Sequence, residues 1–265
     1  MTVIVGYVGR NGAVMASDSH GAEEDATATV VEKVWTSGGM LFGYSGQVAI
    51  RDRIRTALES HFKSTPPPPH YPLELAASSL CAVVRPVLNY AYTNFVGSPD
   101  DDPTEKLAGS LLVIGFDGDG YWLLEIDRNN LASPYTDDGF HTVGTGSVAA
   151  HVSRGLLKHY NLPGYEVSHL RLLAYRTVST CIDVLGGAYM LGPPVQLWHS
   201  VDGGFERVIE HKFHAVREGV QQWVGIEQES LDRVFSTEDP TGAAEVVEPL
   251  PERLEGPEDR LMPST

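Results

Sequence analysis

The sequence is poor in cysteine, poor in basic side chains and empty of long apolar runs, and each shortage closes off a class of protein. Its two cysteines, Cys81 and Cys181, stand far apart with no CxxC. A disulfide framework and a zinc site both lack their residues, and reduced thiols point to a cytoplasmic setting. The 19 Lys and Arg face 35 Asp and Glu, a formal net charge of -16. Tracking nucleic-acid phosphates or lying on an anionic membrane needs the opposite balance, so neither partner is expected. No apolar stretch approaches the roughly 20 residues that span a bilayer. The longest, such as SLLVIGF at 110–116, have strand length. The first residues carry no charged leader, signal core or polar arm.

What is abundant is apolar sequence, 42% of 265 residues, enough for one substantial core. An apolar, β-branched run begins at Thr2, and the Asn11-Gly12 pair reads as the turn of a two-residue hairpin returning through GAVMASDS. TATVVEKVW and GMLFGYSG read as two further strands, giving four before residue 46. The period then changes. QVAIRDRIRTALESHF and PLELAASSLCAVVRPVLNYAYTNF carry helical spacing, with Pro86 expected to kink the second or reset its start. AGSLLVIGFDGDGYWLLEID is a hairpin whose DGDG is a turn rather than a calcium loop, since the distal Glu is missing. A strand at FHTVG, helices near GSVAAHVSRGLLKHYN and YEVSHLRLLAYRTVSTCIDVL, strands PPVQLWHS and FERVIE, and a last helix come next. Grouped strands and helices indicate a layered α+β domain over 1–235 rather than a βαβ alternation. From Ser236 to Thr265 eight acidic residues face two basic ones among several prolines, the composition of an unstructured tail.

Thr2 is the first candidate for chemistry. Were Met1 removed, its hydroxyl and a free α-amine would share one residue, and an α-amine titrating near ~8 can take the hydroxyl proton without a large shift. A surface Met-Thr start is the plain alternative. Asp18 ends the returning strand, exposed or turned inward. Lys33 lies in VVEKVW, facing solvent beside Glu32 or pointing inward, where Asp18 is the available counter-charge. An inward Lys33 would keep a neighbouring amine neutral. The register is awkward: a turn at Asn11-Gly12 sets Thr2 opposite Gly21 and Asp18 on the other face, so a bulge or bent strand end near SDSHG is required. Gly46 stands where a strand gives way to a helix, either a turn glycine or an N–H offered to an oxyanion. GTGS at 144–147 repeats that layout around Thr145 without a GxGxxG spacing or a P-loop lysine. His20, His211 and His214 lack partners at ligand spacing, so no metal is expected, and no GxSxG elbow supports a serine triad.

Together, Thr2, MASDS, Lys33 and GYSG resemble the proteasome β-subunit family of N-terminal-nucleophile hydrolases. The similarity continues through AGSLLVIGFDGDGYWLLEID, the VGTGS turn and CIDVLGG, touching about 200 residues with its strongest motifs in the first 50. The resemblance implies a four-layer αββα sandwich and a threonine-type peptidase without a cofactor, acting on a peptide or protein as a possible homo-oligomer. It makes Thr2 the nucleophile, Asp18 and Lys33 its charge partners and Gly46 the oxyanion donor. Thr145 takes the place of a serine near the terminal amine, and Asp183 matches a later aspartate. Val31, Tyr44 and Val48 would line the substrate side-chain pocket. Leu185 stands where the family commonly has a serine. Two other outcomes fit the same residues: an acyl-transfer enzyme, either a connectase-like protein ligase or a small-molecule amidase, and a catalytically silent assembly subunit.

Overall fold

The computed structural model describes residues 2–9, 11–22, 28–95, 97, 101–156, 165–189, 191–202 and 204–235. Met1, part of the acidic loop at 99–105 and the tail 236–265 lie outside them. The described residues fall into two units, divided between Val220 and Gln221.

The first unit is built on two five-stranded antiparallel sheets. One contains β1 (Ile4–Gly9), β2 (Gly12–Ser17), β10 (Phe140–Val143), β11 (Gln196–Val201) and β12 (Gly204–Arg207), in the order β10-β1-β2-β11-β12. The other runs β5 (Val34–Ser37), β6 (Met40–Ser45), β7 (Ser110–Phe116), β8 (Tyr121–Ile126) and β9 (Ala132–Pro134) in sequence order. A short pair, β3 (His20–Ala22) and β4 (Ala28–Val30), stands apart.

Strands buried on both faces read as continuous apolar runs, as IVGYVG and SLLVIGF do. Ile4, Val8, Ala13 and Met15 meet Leu41, Leu112, Ile114 and Leu123 in a core between the sheets. Gly6 and Gly43 let the sheets approach: a Cβ at Gly6 would stand 2.8 Å from Leu123, and one at Gly43 2.7 Å from Met15. The opposite face of the second sheet, through Phe42, Tyr44, Val113 and Trp122, packs on α1 (Val48–Ser64) and α2 (Leu73–Thr93). Each helix offers one residue per turn: Ile50, Ile54, Leu58 and Phe62 from α1, and Ala76, Leu80, Val84 and Leu88 from α2. On the first sheet, α4 (Ser147–Leu156) and α5 (Val167–Tyr189) cover the other side, where the Tyr7 hydroxyl meets Thr177 at 2.7 Å. A short α3 (Pro103–Lys106) precedes β7, and α6 (Glu210–Phe235) buries Phe213, Val216 and Val220 in its first part. In the second unit the helical residues 221–235 expose Val224, Ile226 and Leu231.

The structure is thus α+β with antiparallel sheets, and among the described residues no helix is long and apolar enough to cross a membrane. Three local expectations change. Gly9 pairs with Gly12, so Gly12 opens β2 instead of forming the turn, and it is small because Val167 and the Ser200 hydroxyl pack against it. TATVVEKVW is broken into β4 and β5, because residues 31–33 bond to side chains and to a neighbouring loop. Pro86 neither stops α2 nor resets its start, which is Leu73.

Candidate active site

The ladder between β1 and β2 ends at Ile4 opposite Ser17, and the site is built on the residues just beyond that last rung. Asp18 N–H still donates to the Val3 carbonyl at 3.2 Å. In return the Val3 N–H donates to Asp18 Oδ1 at 3.0 Å, so a side-chain carboxylate replaces the backbone acceptor that another rung would supply. The second carboxylate oxygen accepts the His20 N–H at 3.2 Å. The register that made a bulge or bend necessary is not the one found, since Ile4 pairs with Ser17 and Thr2 is not opposite Gly21; the Val3–Asp18 exchange itself aims the carboxylate back at the residue after Thr2.

Lys33 is 4% exposed and Asp18 fully buried, with Nζ 2.8 Å from Oδ1. Burial pushes the Lys33 ammonium below its ordinary value of 10.5, against the opposing pull of Asp18. Its backbone is held at both ends: the N–H donates to the Gln196 side-chain carbonyl at 3.3 Å, and the carbonyl accepts the Tyr44 N–H at 3.1 Å.

Thr2, 8% exposed, is gripped through its backbone. Its carbonyl accepts the Gly146 N–H at 3.1 Å. Gly144, at φ 101°, stands so close that a Cβ there would collide with that carbonyl. The glycines of GTGS therefore make a turn that fits over Thr2, a role a phosphate loop would not need. Gly46 is also at positive φ, 140°, where a Cβ would stand 2.8 Å from the Tyr44 hydroxyl and 3.0 Å from Gly109. It leads into α1, whose first residue follows Gln47 without a side-chain cap and without an acidic residue in its first turn. The Ile50 and Arg51 N–H groups donate to the Gln47 carbonyl, both at 3.1 Å, and the Gln47 side chain caps none of the leading N–H groups.

Thr2, Val31, Lys33, Tyr44, Gly46, Val48 and Thr145 all line one cleft of about 1200 Å³. Asp18 lies buried behind Lys33. Asp183 does not join them: it is exposed on α5 and outside the cleft lining. Tyr44 is buried, its hydroxyl has no hydrogen-bond partner among the described residues, and desolvation pushes its pKa up. Sequence reasoning missed Ser45, Arg51, Ser110 and Arg128, which also line the cleft. Arg51 is committed, donating to the Glu32 carbonyl at 2.6 Å and pairing with Asp52. Ser110 helps hold the Glu125 carboxyl below its ordinary value, and Glu125 Oε2 lies 2.7 Å from His141 Nε2 in a part-buried pair. Gln196, 2% exposed, was missed too, although a glutamine between Val195 and Leu197 in an apolar strand is the signal for a buried amide with fixed partners.

Among the described residues no group of three or more His, Cys, Asp and Glu is placed to hold a metal ion. In DGDG, Asp117 Oδ1 accepts the N–H groups of Asp119 and Gly120 at 3.0 and 2.9 Å, spending the carboxylate on the turn. No protein-family model matches the sequence, and no curated protein matches it at a significant level.

Proposed function

We propose that the protein is an N-terminal threonine amide hydrolase, a proteasome-like cytoplasmic peptidase on a four-layer αββα sandwich. One observation carries the reading: Thr2 sits in the cleft beside a buried Lys33–Asp18 pair whose carboxylate also binds the N–H of Val3. A lysine and an aspartate removed from water are costly unless paired, and a surface hairpin has no use for them.

The mechanism requires that Thr2 be the first residue of the working protein. Its α-amine accepts the hydroxyl proton as Oγ attacks the peptide carbonyl. The Lys33 ammonium, fixed by Asp18, disfavours a second positive charge nearby and so keeps that amine unprotonated. Negative charge develops on the carbonyl oxygen, and Gly46 at the uncapped start of α1 is assigned the donor that stabilises it. The C–N bond breaks, the amine returns its proton to the leaving group, and an ester on Thr2 remains. Water, deprotonated by the same amine, attacks the ester, releases the acid and restores the hydroxyl. Val31, Tyr44 and Val48 contact the substrate side chain, Thr145 steadies the terminal amine, and a homo-oligomer is the expected assembly.

Treatment of the purified protein with a β-lactone, followed by intact and tandem mass spectrometry, tests this. The expected product begins at Thr2 and carries one acyl group on it, and Thr2→Ala abolishes the adduct. An adduct on another residue, or none, would overturn the assignment.

A further inference from the structure

Residues 31–33 carry two groups of the cleft, Val31 and Lys33, yet they belong to no strand. Backbone groups outside a ladder must find other partners when buried, and here each partner has a separate origin. Val31 N–H donates to the Ser19 carbonyl at 2.8 Å, Glu32 carbonyl accepts from Arg51, and Lys33 carbonyl accepts from Tyr44 N–H. Two of the remaining three groups, the Val31 carbonyl and the Lys33 N–H, converge on one side chain. Gln196 Nε2 donates to the Val31 carbonyl at 2.7 Å, and Gln196 Oε1 accepts the Lys33 N–H at 3.3 Å. A single carboxamide, buried on β11 where it pairs opposite Ser17, thus spans the gap between β4 and β5.

We infer that Gln196 is a positioning residue, which sets the height of the Lys33 ammonium against Asp18 and the place of the Val31 wall by clamping the backbone on either side of Glu32. The inference rests on the Thr2 reading above. Only Asn and Gln offer a donor and an acceptor side by side in a neutral group, so the chemistry of the clamp is specific. Lys33 has four methylenes between backbone and charge, and fixing its backbone reduces the freedom that would let Nζ leave Asp18. Gln196 touches no reacting atom; it acts through Lys33 and Val31, and a displacement of about 1 Å at such a support can cost on the order of 100-fold in rate.

The test uses Gln196→Met, which keeps the volume and removes both bonds, and Gln196→Glu, which keeps the acceptor and loses the donor. The readouts are the β-lactone acylation rate of folded protein from pH 6 to 10 and the NMR titration of Lys33 in lysine-labelled protein, where it is one of five lysines. Gln196→Met is expected to acylate at least tenfold more slowly with a displaced pH midpoint, Gln196→Glu to fall between it and the wild type, and the Lys33 resonance to move in both. A merely structural glutamine would lower the melting temperature and leave rate per folded molecule, midpoint and Lys33 titration unchanged, and that result overturns the inference. If wild-type Thr2 is not acylated, the peptidase reading fails, and the Lys33 titration alone decides the clamp. Should neither variant fold, exchange of the Gln196 carboxamide protons in the wild type decides it: slow exchange supports the clamp, and exchange at the rate of an exposed glutamine refutes it.

Discussion

Lys33 Nζ lies 2.8 Å from Asp18 Oδ1 with neither side chain open to water. The pair is oriented by the backbone on both sides, through Val3 on the carboxylate and Tyr44 on the lysine. Removing one partner leaves the other charged and buried, a loss of about 3–5 kcal/mol. Lys33→Ala is therefore expected to lower unfolding stability by that amount, read from denaturant titration, and to abolish β-lactone labelling, with Asp18→Asn a milder form of both. Normal stability and labelling in Lys33→Ala would separate this pair from the fold and from the chemistry.

Gly144 and Thr2 make the second test. An alanine at φ 101° carries backbone strain of about 1–3 kcal/mol, and its methyl would also push on the Thr2 carbonyl. Gly39, at φ 75°, has nothing within 4 Å of where an alanine methyl would sit, so Gly39→Ala measures strain without the collision. Gly144→Ala is expected to lose more stability than Gly39→Ala and to label at least tenfold more slowly, while Gly39→Ala labels normally. Equal labelling in the two variants would show that the turn does not hold Thr2.

The glycines and the buried pair also mark where the sequence is readable. The helices are visible because α1 and α2 each repeat one apolar face, and the long strands because their apolar runs end in turn residues. Thr2, Lys33, Gly46 and Thr145, spread over 144 positions, can be grouped through a resemblance of motifs, and the cleft brings them together. The turn before Gly12 is misplaced by sequence because a glycine beside an asparagine signals a turn, whereas this one makes room for Val167. The break in TATVVEKVW is invisible there because its cause, Gln196, lies 163 residues from Lys33. Clamps of this kind leave no local pattern. Asp183 is grouped with the site by motif alone, and no period of α5 says which way its side chain faces.

Cys181 offers a chemical check on the packing behind Asp18. It is 1% exposed; burial and, secondarily, the Asp18 carboxylate push its thiol up to about 11. Thiolate is the reactive form, so iodoacetamide near neutral pH is expected to spare Cys181 in the native protein and to modify it in denaturant. Cys81, half-buried, should react faster than Cys181 under native conditions. Mass spectrometry of the two cysteine peptides reads the ratio. Native Cys181 reacting as fast as Cys81 would mean that the region behind Asp18 opens readily to solvent.

Glu125 on β8 and His141 on β10 join the two sheets, and the pair should be visible as a pH dependence of stability. Burial raises the Glu125 pKa, but hydrogen bonds from His141 and Ser110 outweigh it and hold the carboxyl below its ordinary 4.5. Between the folded and unfolded values the unfolded chain binds more protons, so stability rises with pH through that window. The contribution is complete above the unfolded value and disappears as pH falls through the folded one. Glu125→Gln removes the titration. Its urea midpoint is expected to lie below the wild type at about pH 7, and the two curves should converge as pH falls through the folded value and the wild type loses its advantage. Curves that stay parallel over the whole range would show that Glu125 gains no charge stabilisation on folding, and the Ser110–Glu125–His141 connection would then be packing alone.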